Sequence, residues 1–161
     1  MIGRRRPRPP LPEPEVDLER FCGSWYVLGG VLTPFERVLC NAVEDYRLDA
    51  AGNVQTRFRF RVGSVDGPFG ELRSTGFVAD ERQAAVWGMQ FVAPFKLDYR
   101  IAWVAEDYSA TLVARQRRDL LWIMARSPDP GAASFGELVA RAEAMGYDPD
   151  DVITLTQRWP A

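Results

Sequence analysis

From residue 25 to residue 126 the chain is a succession of short runs in which apolar and polar positions alternate, separated by turn residues, and helical periodicity is absent until residue 132. Alternation with a period of two is the mark of a half-buried strand, so the pattern predicts an all-β chain. Residues 25–32 are apolar and glycine-bearing until Thr33-Pro34 breaks them. Residues 41–49 alternate, and Ala50-Ala51-Gly52-Asn53 supplies a hairpin turn into residues 54–62. In that run Thr56, Phe58, Phe60 and Val62 share one face, and Gln55, Arg57, Arg59 and Arg61 share the other, which determines the wet side.

After a loop at 63–70, strands are predicted at 71–79 and at 84–92, where Trp87, Met89 and Phe91 fall on one side. Pro94-Phe95 interrupts the chain before residues 97–105, where Leu97, Tyr99, Ile101 and Trp103 face away from Asp98, Arg100 and Ala102. Runs at 109–116 and 120–126 bring the count to eight strands joined mostly by short hairpins. That arrangement favours up-and-down order, and closing the sheet removes its unpaired edges. Ser134 and Glu137 have capping-box spacing, and Phe135, Leu138, Val139, Ala142 and Met145 form an apolar stripe ended by Gly146. The expected fold is an eight-stranded antiparallel up-and-down β-barrel with one C-terminal α-helix on its wall and a short final strand over 152–156, beside the first.

Composition narrows the chemistry. A chain of 161 residues suits one domain with a substantial core, and no apolar run is long enough to span a bilayer as a helix. A net charge of -2 gives no general attraction to nucleic acid. The chain has no histidine, which excludes His-based triads, His-ligated haem and His-based zinc sites, and Cys22 and Cys40 are too few for a four-ligand zinc site. No cofactor or metal is expected. Residues 1–15 contain five prolines and read as a disordered or polyproline-like arm ahead of a single domain over 16–161. Within it Arg4, Arg5, Arg6 and Arg8 form a basic cluster, read either as a solvated tail or as a peripheral contact with anionic lipid.

Several motifs in order resemble the lipocalin family, in particular its bacterial outer-membrane, plant temperature-induced and apolipoprotein D-like branch. Asp17-Leu18-Glu19-Arg20-Phe21-Cys22-Gly23-Ser24-Trp25-Tyr26 follows that branch's opening motif. Phe35-Glu36, Tyr46-Arg47-Leu48, Pro94-Phe95, Asp107-Tyr108, and the run from Leu121 to Pro128 continue it, and Gly146-Tyr147-Asp148 follows the helix. The resemblance covers about residues 17 to 157. It implies a calyx closed at one end, with Trp25 across the floor and Arg126 laid on its indole in a structural role. Two residues depart from the pattern. Cys22 replaces a larger apolar residue and stands at the opposite end of the barrel from Cys40, too far for a disulfide. Glu44 falls inward by alternation with Tyr46 and Leu48, either paired with an inward arginine such as Arg115 or serving as a polar determinant of the pocket.

The expected function is binding, storage or transport of a small hydrophobic ligand, a fatty acid, lysophospholipid or similar lipid, with its tail in the barrel. Strand alternation nominates Phe58, Phe60, Trp87, Met89, Phe91, Tyr99, Ile101 and Trp103 as lining, with Glu44 beside them. Two other classes stay open at this level: an enzyme using Cys22, Cys40, Glu44 or Tyr99, and an interaction module whose barrel is filled. The resemblance further implies a periplasmic or outer-membrane-associated protein. A direct reading finds no signal peptide and gives a cytoplasmic alternative, and both monomer and homodimer are open.

Overall fold

The computed structural model describes residues 8–160. A one-turn helix, α1 (Leu18–Phe21), leads into eight strands: β1 (Gly23–Val31), β2 (Leu39–Leu48), β3 (Val54–Val62), β4 (Phe69–Val78), β5 (Val86–Val92), β6 (Phe95–Val104), β7 (Ala110–Ala114) and β8 (Leu121–Ala125). Helix α2 (Ala132–Ala144) and the short strand β9 (Ile153–Thr154) follow. Each strand pairs antiparallel with the next, and β1 pairs with both β8 and β2, so the sheet closes into an eight-stranded up-and-down barrel. β9 adds to the outside of β1 opposite Gly29 and Gly30. The approach is close: a Cβ at Gly30 would lie 1.8 Å from the Leu121 carbonyl oxygen, and one at Gly29 would lie 2.2 Å from that of Ile153.

One end of the barrel is sealed by the residues that carry the family resemblance. Trp25 is fully buried, its indole N–H donates to the Phe21 carbonyl, and the Arg126 guanidinium lies 3.8 Å from the indole centroid. The same guanidinium donates to the carbonyls of Ser24, Arg20, Phe21, Cys22 and Tyr108, so one planar group ties α1 and the start of β1 to the end of β8 and the turn between β6 and β7. A rigid donor fork suits that task, and the contact with the ring adds about 0.5–2 kcal/mol. Cys22 lies at this closed end and Cys40 at the start of β2, at the open end; both are free thiols.

Two apolar layers flank the wall. The inner one holds Trp25, Val27, Tyr46, Trp87, Ile101 and Met124; the outer one joins Ala102, Leu112, Leu121 and Ile123 of the sheet to Leu138, Ala142 and Tyr147 of the helical segment. Trp103 belongs to the outer layer, which corrects its expected inward position. The pairing runs Ile101 with Val113 and then Trp103 with Leu112, so a β-bulge at Ala102 turns the strand by one residue. Trp103 therefore packs under α2, with the Arg141 guanidinium 4.4 Å from its ring.

The helix begins two residues before the expected Ser134. Its N-cap is Gly131, so Ser134 and Glu137 lie inside it and form no capping box. Its end follows expectation. Gly146 has φ +102, its N–H donates to the Glu143 carbonyl, and the Tyr147 N–H reaches back to Ala142, a Schellman arrangement that a glycine permits. Of the proline-rich arm, residues 1–7, including Arg4, Arg5 and Arg6, lie outside the described residues. Residues 8–15 are not a free arm: Leu11 is buried against the outer layer, the Arg118 guanidinium donates to the Pro9 carbonyl, and Glu13 pairs with Arg100.

Candidate ligand-binding cavity

The barrel interior is filled in its lower half and hollow in its upper half. Phe21, Trp25, Tyr46, Trp87 and Tyr99 stack upward from the floor with ring centroids 5.1 to 5.9 Å apart. Trp87 lies over Gly76, where a Cβ would come within 2.8 Å of the indole, so that glycine makes room for the ring. The Tyr46 and Tyr99 hydroxyls hydrogen-bond to each other and satisfy the polar ends of this plug.

Above Tyr99 lies a cavity of about 230 Å³. Phe58, Leu72, Met89 and Leu97 form one side; Tyr99, Leu120 and Trp122 form the other, and Phe35 and Phe91 stand at its mouth. The volume equals that of about eight liquid waters. It falls below the roughly 300–1,000 Å³ that encloses a drug-sized ligand. A compact apolar group or part of an acyl chain fits, and a longer molecule must protrude. A larger depression of about 720 Å³ lies between Arg59, Phe60 and Arg61 of β3 and the tail at Arg158 and Trp159.

Of the nine residues nominated from the sequence, Phe58, Met89, Phe91, Tyr99 and Glu44 come together on this cavity. Trp87 and Ile101 point inward but belong to the packed interior beneath it. Phe60 is buried against Gly70, Phe35 and Phe58 rather than on the cavity surface. Trp103 is outside the barrel. Trp122, Glu36, Leu72 and Ser74 were not anticipated on the cavity. Trp122 had no usable signal because β8 is apolar on both faces, Leu121 and Ile123 outward and Trp122 and Met124 inward. Glu36 lies in a loop, where no period operates.

Three carboxyl groups lie on the cavity: Asp98 is paired with Arg100, and Glu36 and Glu44 differ sharply in their partners. Glu36 is held by three donors, the Thr33 N–H at 3.1 Å, the Thr33 hydroxyl at 2.9 Å and the Trp122 indole N–H at 2.7 Å. Glu44, opposite Phe58 on β3 and Trp25 on β1, has no hydrogen-bond or ion-pair partner among the described residues. Burial, reinforced by the negative charges of Glu36 and Asp45, pushes its carboxyl up to about 8. Glu44 is thus protonated at neutral pH, and the cavity carries less negative charge than its composition implies. The expected Glu44–Arg115 pair is not formed. Arg115 lines the cavity from the β7–β8 turn with Nε 3.4 Å from Asp119 Oδ1, outside hydrogen-bond alignment. Burial, followed by the Glu44 charge, raises Tyr99 well above the ordinary phenol range, so it is present as a hydrogen-bond donor. Neither cysteine faces the cavity.

A closed eight-stranded barrel with an apolar cavity at one end, a Trp–Arg floor at the other and a helix on the wall defines the lipocalin architecture. A family model described as a lipocalin-like domain matches residues 16–157, and the chain belongs to that family. The outer membrane lipoprotein Blc of Escherichia coli (strain K12) is 25% identical over 141 residues, covering 88% of this chain and 79% of that protein. Temperature-induced lipocalin-1 of Arabidopsis thaliana is 24% identical over 144 residues, covering 83% and 75%. Among solved structures, insecticyanin from the tobacco hornworm Manduca sexta superposes with a TM-score of 0.67 at 14% identity, over 95% of this chain and 86% of that one. Members of the family mainly bind small hydrophobic ligands.

Proposed function

We propose that this protein binds the acyl chain of a single-tailed lipid, a fatty acid or lysophospholipid, with the tail in the cavity above Tyr99 and the head group at the mouth. The observation that carries this reading is the 230 Å³ apolar cavity itself, left open above an otherwise packed aromatic interior. It also favours a carrier over an interaction module with a filled barrel. Each buried methylene contributes about 0.8 kcal/mol, so the part of the chain that the cavity holds contributes several kcal/mol and contacts at the mouth add to it. Arg115, with a buried Nε lacking a hydrogen-bond partner, offers the head group a cation, and the neutral state of Glu44 spares an anionic lipid from repulsion. Binding without turnover is the corresponding chemistry. An envelope location is the associated reading, on the precedent of relatives named outer membrane lipoproteins.

Titration with laurate, followed through tryptophan fluorescence, tests this: Trp122 sits on the cavity wall and reports entry. Saturable quenching that is lost in Phe58→Asp, and a single-tailed lipid mass in native mass spectrometry of the protein from its host, are the expected results. No quenching together with an empty native mass would overturn the proposal.

A further inference from the structure

The exposed apolar side chains are not scattered over this protein. Nine large ones are exposed among the described residues, and eight of them lie at the open end of the barrel. Phe35 and Val38 come from the loop between β1 and β2, and Phe69 and Leu72 from the beginning of β4. The other four, Phe91, Val92, Phe95 and Leu97, form the tip of the β5–β6 hairpin, where Val92 is 68% and Phe95 73% exposed. Trp159, the ninth, packs edge-on against Tyr26 on the outer wall. Isolated exposed hydrophobic residues need no explanation, but a contiguous rim does.

The charges around this rim are asymmetric. Arg37, Arg61, Lys96 and Arg117 are exposed at the open end, and none is within ion-pair distance of a carboxylate among the described residues. The acids there are mostly committed: Glu36 to Thr33 and Trp122, Glu71 to Arg57 and Arg73, Asp98 to Arg100, and Asp119 to Arg115. The aliphatic stem of Lys96 passes Gly88, and its ammonium sits 4.1 Å from the Phe77 ring, back from the apolar tip. That is the placement of a cation that stays at the polar boundary while its neighbours enter an apolar phase. Arg61 similarly lies 5.4 Å from the Phe69 ring.

We propose that the open rim is a membrane-docking surface that places the β5–β6 hairpin and the loops preceding β2 and β4 into the interfacial layer of an anionic phospholipid bilayer. Apolar side chains at the loop tips supply the burial, and the unpaired cations behind them meet the head-group phosphates. The cavity mouth, framed by Phe35 and Phe91 of the same rim, then opens toward the acyl chains. A single-tailed lipid would pass between bilayer and barrel without crossing water. This goes beyond ligand binding and stands on separate residues, because Val92, Phe95 and Lys96 do not line the cavity.

Co-sedimentation of the full chain with vesicles of phosphatidylcholine and phosphatidylglycerol in equal parts, and with phosphatidylcholine vesicles alone, tests the surface. The wild type is expected to sediment with the mixed vesicles, more weakly with the neutral ones, and less in high salt. Val92→Asp and Phe95→Asp should each weaken mixed-vesicle binding about tenfold. Lys96→Glu should weaken it several-fold. Laurate quenching should be retained in all three variants, so that failure of docking is distinguishable from failure of the lipid-binding reading. Absence of wild-type sedimentation, or undiminished sedimentation of the Val92→Asp, Phe95→Asp double variant, would overturn the proposal. So would a wild-type dimer that this double variant dissociates, because the rim would then be covered by a second copy of the chain.

Discussion

The indole N–H of Trp122 donates to Glu36 Oε2 across 2.7 Å, joining β8 to the loop that leaves β1 although the two residues are 86 positions apart. The same carboxylate accepts from the backbone and hydroxyl of Thr33, so a single side chain closes its own loop and anchors that loop to the cavity wall. Glu36→Ala should therefore loosen the rim and destabilise the fold by about 1–3 kcal/mol, because the Trp122 N–H is left without its acceptor. Urea unfolding measures the loss. Removing this negative neighbour should also lower the carboxyl of Glu44.

Glu44 makes stability depend on pH with a definite sign. Its carboxyl titrates near 4.5 when unfolded and at about 8 in the folded protein, so between these values the native state holds the extra proton. The stability contributed by its neutral form is fully present below pH 4.5 and is lost as pH rises to about 8, where burial of the charge opposes folding. Glu44→Gln abolishes this dependence. The variant should match or fall slightly below the wild type at pH 5 and exceed it at pH 9, by up to about 1.4 kcal/mol for each unit of displacement. Denaturant melts at the two pH values decide it. Laurate affinity should likewise fall above pH 8 in the wild type and hold in the variant.

Trp103 and Met89 separate stability from binding. Trp103→Ala removes the ring between the outer wall and Arg141 and should cost about 2–3 kcal/mol without changing laurate affinity. Met89→Ala enlarges the cavity and should change the preferred chain length toward longer acids. A chain-length series titrated against both variants tests the division.

Gly30 controls how closely β1 meets β8. Gly30→Ala places a methyl group 1.8 Å from the Leu121 carbonyl oxygen, a backbone atom that cannot swing aside. A loss of about 3 kcal/mol or more is expected, with partial unfolding at 37 °C read by circular dichroism.

Particular residues show how far pattern reading reaches. On β3 the alternation of Phe58 and Phe60 with Arg57 and Arg59 assigned every side chain to its face, because burial on one side and water on the other make a one-residue slip costly. On β6 the same logic failed at Trp103. A bulge adds a residue without any compositional mark, and Trp103 is apolar enough to suit either layer. On β8 two buried faces erased the alternation that would have disclosed Trp122.

The local sequence thus determined the strands, their hairpins and the apolar stripe of α2, because each depends on neighbours two to four positions away, whereas the Trp25–Arg126 floor was legible only through the family resemblance. Tertiary structure alone decided where the barrel is filled and where it is hollow. The aromatic plug from Phe21 to Tyr99 is the combined volume of side chains from α1 and four different strands, β1, β2, β5 and β6. Whether Phe60 packs or lines, whether Glu44 meets Arg115, and how much space remains above Tyr99 depend on that three-dimensional fit. The concentration of exposed apolar residues at one rim has the same origin, since loops far apart in sequence become neighbours only when the sheet closes.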